Sequence, residues 1–188
     1  VTEQHYNTYP ANDKRKTGYF LVGQQYTSSG QPITDAVAGK PLIFNPYIPK
    51  LVMDASFTPE EIRMSGARVK KFEIKLGAKA NLSNDFPIFR LADIMLMKAE
   101  AMVRQTKNGD DYINPIRNRA GLPNITNATL DDILAERGRE LFWEAHRRQD
   151  LIRFGKFNNA WWEKPASDPS RKVFPIPQWA IDANPNLE

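Results

Sequence analysis

The chain has 188 residues, no cysteine, a formal net charge of +4, and 26% charged against 41% hydrophobic residues, the composition of a globular domain large enough to bury a core. Disulfides, zinc–thiolate centres and thiol nucleophiles are excluded, and no apolar run approaches the ~20 residues of a membrane-spanning helix. The positive charge does not build a nucleic-acid surface: the basic residues of 136–155 alternate with Glu136, Glu140, Glu144 and Asp150, and no nucleic-acid-binding motif is present.

Residues 1–80 are punctuated by Pro10, Gly18, Gly23, Gly30, Pro32, Gly39, Pro41, Pro46, Pro49 and Pro59. Between these breakers lie short apolar or alternating runs at 19–23, 41–45 and 68–76, read as strands, and one turn of helix at 59–64. Residues 81–188 are helical in pattern. Asp85 is placed to cap a first helix with Pro87 in its first turn, and Phe89, Ala92, Leu96, Ala99 and Val103 recur at helical spacing until Asn108-Gly109. A second helix covers about 110–119, with a kink or a later start expected at Pro115, and stops at Ala120-Gly121-Leu122-Pro123. A third begins at Thr129, where Thr129 and Asp132 form a capping-box pattern, and runs to Gly155. The aromatic, proline-rich remainder is expected to be extended. The expected fold is therefore mainly α, with TPR-like helical hairpins beside an irregular, loop-rich region with a few short strands. Its two parts are 1–80 and 81–188.

The third helix is the most informative. On a helical wheel Leu130, Leu134, Leu141, Ala145 and Ile152 share one stripe. Arg137, Glu144 and Arg148 edge that stripe, with Glu140 and Arg147 just beyond. Opposite charges stand three or four apart at Arg137–Glu140, Glu144–Arg147 and Glu144–Arg148. Charges beside a core are costly unless paired, so this edge reads as an ionic ladder packed between helices.

Four segments, in order, carry a resemblance: DFPIFRLADIMLMKAEA (85–101), NPIRNRAGLP (114–123), ERGRELFWEAHRRQDLIRFGKF (136–157) and FPIPQWAIDANPNL (174–187). Together they resemble the SusD/RagB family, outer-membrane glycan-binding lipoproteins of Bacteroidetes. The match is dense over the last hundred residues and weak over the first eighty. Ala145 stands where the family has glycine, a more helix-friendly choice. Members of the family are longer and carry a leader and a lipid-bearing cysteine, so the resemblance implies the C-terminal part of such a protein. It further implies a non-catalytic protein without cofactor, surface-exposed and lipid-anchored, that captures oligosaccharide for a SusC-like TonB-dependent transporter. The alternative is a docking scaffold that contacts the transporter without binding sugar. In the family the glycan is held mainly by the N-terminal portion.

Arg90, Asp93 and Glu100 match the family's helix and are read, with Arg137, Glu140, Glu144, Arg147 and Arg148, as a structural ion network. Arg117, Arg119 or Arg137 are the expected partners of the first three. Glu140 and Glu144, one turn apart, have glycosidase-like spacing, but the surrounding arginines favour their charged forms, and a glycosidase needs a carboxyl with raised pKa. Glu144, His146 and Asp150 make a poor metal set, since residues two apart lie on nearly opposite helix faces. No metal site is expected. Sugar binding needs flat aromatic faces beside amides and carboxylates. Trp161 and Trp162 beside Asn158, Asn159 and Glu163, Tyr26 beside Gln24 and Gln25, and Tyr47 beside Asn45 have the right chemistry.

Overall fold

The computed structural model describes residues 1–187. It opens with two short helices, α1 (Glu3–Tyr6) and α2 (Lys14–Tyr19), whose caps Thr2 and Asp13 accept from His5 and Arg15 backbone N–H groups. Five two-residue strands follow, β1 (Phe20–Leu21), β2 (Gly23–Gln24), β3 (Thr34–Asp35), β4 (Lys40–Pro41) and β5 (Ile43–Phe44); then come α3 (Pro59–Met64) and β6 (Arg68–Val69). The strands pair antiparallel as β1–β6, β2–β5 and β3–β4, with Phe20 opposite Val69 and Gly23 opposite Phe44. α3 lies where the sequence places it, with a complete Thr58–Glu61 capping box and Pro59 in its first turn. The strand expected over 68–76 keeps only its first two residues. Phe72 takes a left-handed φ of 69°, and Lys71 turns inward to donate to the Glu140 and Phe142 carbonyls.

α4 (Leu91–Arg104) begins five residues later than the Asp85 cap predicts. Phe86 precedes a proline, which disfavours helix there, and Arg90 stays extended at φ −145° so that its side chain reaches Glu140 and Glu144. α5 (Asp110–Arg119) starts at its predicted position and runs through Pro115. It ends at Gly121, φ 82°, where the Leu122 N–H returns to the Arg117 carbonyl at 2.9 Å. α6 (Leu130–Glu140) carries the Thr129–Asp132 capping box.

α6 does not continue to Gly155. It stops at Glu140; a turn intervenes, and α7 (Arg147–Arg153) follows, ended as predicted at Gly155, φ 71°. Trp143 and Ala145 have φ of 65° and 62°, so neither can belong to a right-handed helix. The reading of Ala145 as helix-friendly is thereby reversed. Its backbone needs the left-handed region that glycine enters freely and alanine enters at a cost. Ala145→Gly is expected to raise stability by roughly 0.5–1 kcal/mol, the left-handed penalty outweighing glycine's extra unfolded freedom. Urea midpoints of the two proteins check this; a lower midpoint for the variant would mean that the segment is helical in solution.

The wheel is corrected with it. The buried face of α6 is centred on Ile133, Glu136, Arg137 and Glu140, so the charges occupy its middle rather than its edge, and Ala145 is exposed. α4, α5 and α6 pack on one another through Leu96, Ala99, Ile113, Ile116 and Ile133. A second cluster joins Tyr9, Phe20 and Ala67 to Tyr6, Tyr19 and Phe142, with Phe20 edge-on to Tyr9 at 5.1 Å.

The chain divides into two compact units, Val1–Arg147 and a second beginning at Arg148. The texture change near residue 80 falls inside the first. In the second, the Arg148 guanidinium covers Phe157 and Phe174 at 4.9 and 4.5 Å and donates to the Arg171 and Lys172 carbonyls. The tail expected to be extended carries a 3-10 turn at Pro169–Lys172 and a helix, α8 (Gln178–Ala183). Among the described residues no helix is long and apolar enough to cross a membrane.

Candidate functional site

The charged residues of α6 meet partners from distant parts of the first unit. Glu140 shows no exposed surface, and its carboxylate accepts from Arg15 at 2.9 Å, Arg90 at 2.6 Å and Arg119. Glu136, equally enclosed, accepts from Arg15 at 2.7 Å, Arg139 at 2.6 Å and Arg117 at 3.3 Å. Arg15 is forked onto Asp13 as well, at 3.0 and 2.8 Å. Glu144 is held by Arg90, at 2.7 and 2.9 Å, and by Lys71. Arg90 Nη2 also donates to the Glu140 carbonyl at 2.6 Å, capping the end of α6.

The structure thus brings Arg90, Glu140 and Glu144 together, and the other predicted members take partners of their own. Arg137 pairs with Asp93 across α6 and α4 at 2.9 Å, both buried. Glu100 takes Arg104 of its own helix at 2.8 Å. Arg147 donates to the Leu134 carbonyl at 2.9 Å, lying over Gly138, where a Cβ would stand 2.8 Å from its Nη1. Arg148 serves carbonyls of the second unit. The ladder expected along one helix face gives way to pairs between elements, because the helix stops before residues 144, 147 and 148 can share that face. Asp13, Arg15, Lys71, Glu136 and Arg139 were not predicted. Their partners lie up to 125 residues away, beyond the reach of any local spacing signal.

Electrostatics follow from this geometry. Burial pushes the Glu140 carboxyl up, but hydrogen bonds and charge from Arg90, with Arg119 and Arg15, hold it below the ordinary glutamate value; Glu144 is held low in the same way by Arg90 and Lys71. Burial lowers the Lys71 ammonium, and burial pushes the Tyr19 phenol up to about 12. Two carboxyls kept ionised form no acid–base couple, since glycoside hydrolysis needs one held protonated. Among the described residues no group of three or more histidines, aspartates or glutamates could hold a metal ion.

The same shifts set an acid limit. Burial, with Arg147, the terminal amine and Arg139, lowers His5 from 6.5 to about 4, while its ring stacks on Phe142 at 4.9 Å. Between those values the unfolded chain binds a proton that the folded one refuses, so stability falls as pH drops from 6.5 to 4. Glu140 and Glu144 add a further loss below 4.5, where unfolded glutamate protonates before the folded. Allowing for partial solvent screening, His5 contributes about 2 kcal/mol of this loss. Thermal melts at pH 7, 5 and 4 check it; His5→Gln is expected to flatten the upper step.

The aromatic candidates divide between the two units. Tyr47 is 55% exposed and lines a cleft of about 700 Å³ with Lys40, Ile43, Asn45 and Glu60. Its loop is fixed at both ends: Asn45 Oδ1 accepts from the Tyr47 N–H at 3.0 Å, and the Tyr47 carbonyl accepts from Gly66 at 3.3 Å. Gly66 has φ 82°, and a Cβ there would stand 2.9 Å from Ile48, so this approach requires glycine. Tyr26, 60% exposed, bridges to Pro32 and lies outside that cleft lining. Its neighbouring amides are engaged: Gln24 donates to the Gln25 and Ile33 carbonyls and Gln25 to the Gly23 carbonyl. In the second unit Trp161, half exposed, bridges to Lys164, and Trp162 is half-buried. Asn158 closes this loop by donating to Ser167 and the Asp168 carbonyl. Trp143, 60% exposed on the turn after α6, is an accessible aromatic that the sequence reading left out, having placed it inside a helix.

Comparison with known proteins accords with this architecture. The model of the SusD family matches residues 3–188. Starch-binding protein SusD of Bacteroides thetaiotaomicron is 34% identical over 113 residues, 55% of this chain and 20% of that protein. A SusD-like protein of Formosa agariphila is 28% identical over 149 residues, 69% of this chain and 30% of that protein. Among solved structures, surface glycan-binding protein A from Bacteroides thetaiotaomicron in complex with laminarihexaose superimposes on 97% of this chain with a TM-score of 0.59 and 26% identity, this chain covering 39% of it. Surface glycan-binding protein A from Bacteroides thetaiotaomicron also superimposes over 100% of this chain and 40% of its own, with a TM-score of 0.62 at 24% identity, a likeness of fold. The chain therefore spans well under half the length of the relatives it matches.

Proposed function

The chain belongs to the SusD family, and from that membership we propose that it is part of a non-catalytic protein that binds oligosaccharide at the cell surface and passes it to a SusC-like transporter. The observation that carries the reading is the laminarihexaose complex of a protein 26% identical along nearly all of this chain. The packed arginine–carboxylate core supports a scaffold role for α6 and leaves ligand contact to the exposed aromatics. Lipid anchoring at the outer membrane belongs to the same reading.

Of the four aromatic candidates, Tyr47 has the best surroundings: a cleft large enough for about two or three sugar rings, a lysine and a glutamate at its rim, and a loop held rigid by Asn45 and Gly66. Isothermal titration of the full-length protein against a panel of starch, laminarin, host and microbial oligosaccharides tests the function; silence across the panel rejects it. For a glycan that binds, Tyr47→Ala is expected to weaken affinity about threefold to tenfold, the worth of one aromatic contact. Unchanged affinity would move the site to Trp161, Trp162 or Tyr26, or to the part of the full-length protein outside this chain. A docking scaffold instead predicts co-purification with the transporter in the absence of any bound sugar.

A further inference from the structure

Trp143 meets solvent in a backbone conformation that a bulky side chain takes only when its surroundings force it. Its φ is 65°, Ala145 two residues on has 62°, and the indole is 60% exposed. The buried charges hold this turn in place. Lys71 donates to the Glu140 and Phe142 carbonyls at 3.0 and 2.8 Å and to the Glu144 carboxylate. Arg90 donates to the Glu140 carbonyl at 2.6 Å and to the Glu144 carboxylate at 2.7 Å. The chain is thereby tied on both sides of Trp143, and an exposed ring held this firmly is preorganised for contact. Its neighbour Phe142 packs on the aromatic core, stacked on His5 at 4.9 Å.

Trp143 borders a cleft of about 420 Å³, lined also by Thr2, His5, Arg68, Val69 and Phe142. That volume holds about one or two sugar rings. Among the described lining residues none is acidic, and Arg68 carries the only side-chain charge at neutral pH, since burial lowers His5 to about 4. Arg68 is half-buried; its guanidinium lies over the Phe44 ring at 5.0 Å and donates to the Arg63 carbonyl at 2.5 Å. It has no carboxylate partner among the described residues. Burial, and then repulsion from Arg63, lowers its pKa from the ordinary arginine value, as for a cation that lacks a counter-ion.

We infer that this cleft binds an acidic saccharide of the uronate class, with a pyranose face stacked on Trp143 and the sugar carboxylate paired with Arg68. The C–H face of a pyranose matches an indole, whose N–H is also unclaimed among the described residues and can meet a hydroxyl. A carboxylate supplies what Arg68 lacks, a planar anion that takes two guanidinium N–H groups at once. A neutral glycan would leave the cation partly desolvated and unpaired. The site presupposes the glycan-binding function proposed above and adds a second contact, for this cleft shares no lining residue with that of Tyr47.

Isothermal titration of the full-length protein with a linear tri-uronate and with its methyl ester, equal in backbone but uncharged, tests the assignment. The acid is expected to bind at least about tenfold tighter than the ester at low salt, and the advantage to shrink as salt screens the pair. Arg68→Gln is expected to erase that preference; Arg68→Lys, which keeps the charge and loses the fork, is expected to retain part of it. Trp143→Ala is expected to weaken the acid about threefold to tenfold, while Tyr47→Ala leaves it unchanged. Equal binding of acid and ester, a preference that survives Arg68→Gln, or an unchanged affinity after Trp143→Ala overturns the inference. A protein that binds a neutral glycan but no uronate does the same and spares the function proposed above; silence toward every glycan defeats both.

Discussion

Glu140→Gln is expected to cost about 3–5 kcal/mol of folding stability, the range for removing one member of a buried ion network. The substitution keeps the side chain's volume and enclosure, so the effect isolates charge and hydrogen-bond polarity. Glutamine offers one acceptor oxygen where the carboxylate offers two, and its amide nitrogen would point a donor at guanidinium groups of Arg15 or Arg90. Arg15 keeps Asp13 and Glu136, and Arg90 keeps Glu144, so the network is weakened rather than emptied. Arg119→Ala removes a third partner of the same carboxylate, but its side chain is 62% exposed, and the expected cost is below about 1 kcal/mol. Urea denaturation of the three proteins at pH 7 decides it. A Glu140→Gln cost as small as that of Arg119→Ala would show water reaching the site. Glycan affinity of the folded Glu140→Gln protein is expected to be unchanged, which separates a scaffold carboxylate from a ligand-contacting one.

Gly109→Val is expected to cost about 2–3 kcal/mol through overpacking where α4 turns into α5. A Cβ at Gly109 would lie 2.8 Å from the Ala99 carbonyl oxygen and 3.2 Å from a Val103 methyl. The first of these is helix backbone and cannot move aside as a long side chain could, so the two helices must separate. Gly18→Ala is the control: Gly18 lies within α2 with nothing inside 4 Å of a Cβ, and alanine is expected to stabilise there by roughly 0.5–1 kcal/mol. Opposite signs at the two glycines, read from thermal midpoints, would establish that close helix approach rather than glycine content governs this hairpin. A neutral Gly109→Val would mean that the crossing is loose.

Local signals in the chain were readable where they act over a few residues. The Thr58–Glu61 and Thr129–Asp132 caps, the left-handed stops at Gly121 and Gly155, and the span of α5 all depend on neighbours three to five positions away. Where a distant partner intervened, the reading failed. Asp85 had the right chemistry for a cap, but Arg90 is drawn into an extended conformation by two glutamates 50 and 54 residues on, and α4 starts after it. Lys71 is pulled out of an alternating strand pattern by acceptors around 70 residues ahead. The break at 141–146 had one trace in the sequence, the family glycine at position 145, whose replacement by alanine was taken for helix propensity when the backbone there is left-handed.

From residue order alone come the mainly helical class, several helix ends and the family, because capping, periodicity and motif spacing are properties of contiguous segments. Which carboxylate meets which arginine, that Glu136 and Glu140 lie at the centre of a buried face, and which aromatics remain on the surface were decided by tertiary packing. A buried charge takes whichever opposite charge the closed chain brings within hydrogen-bond reach, and spacing along the sequence carries no record of that distance.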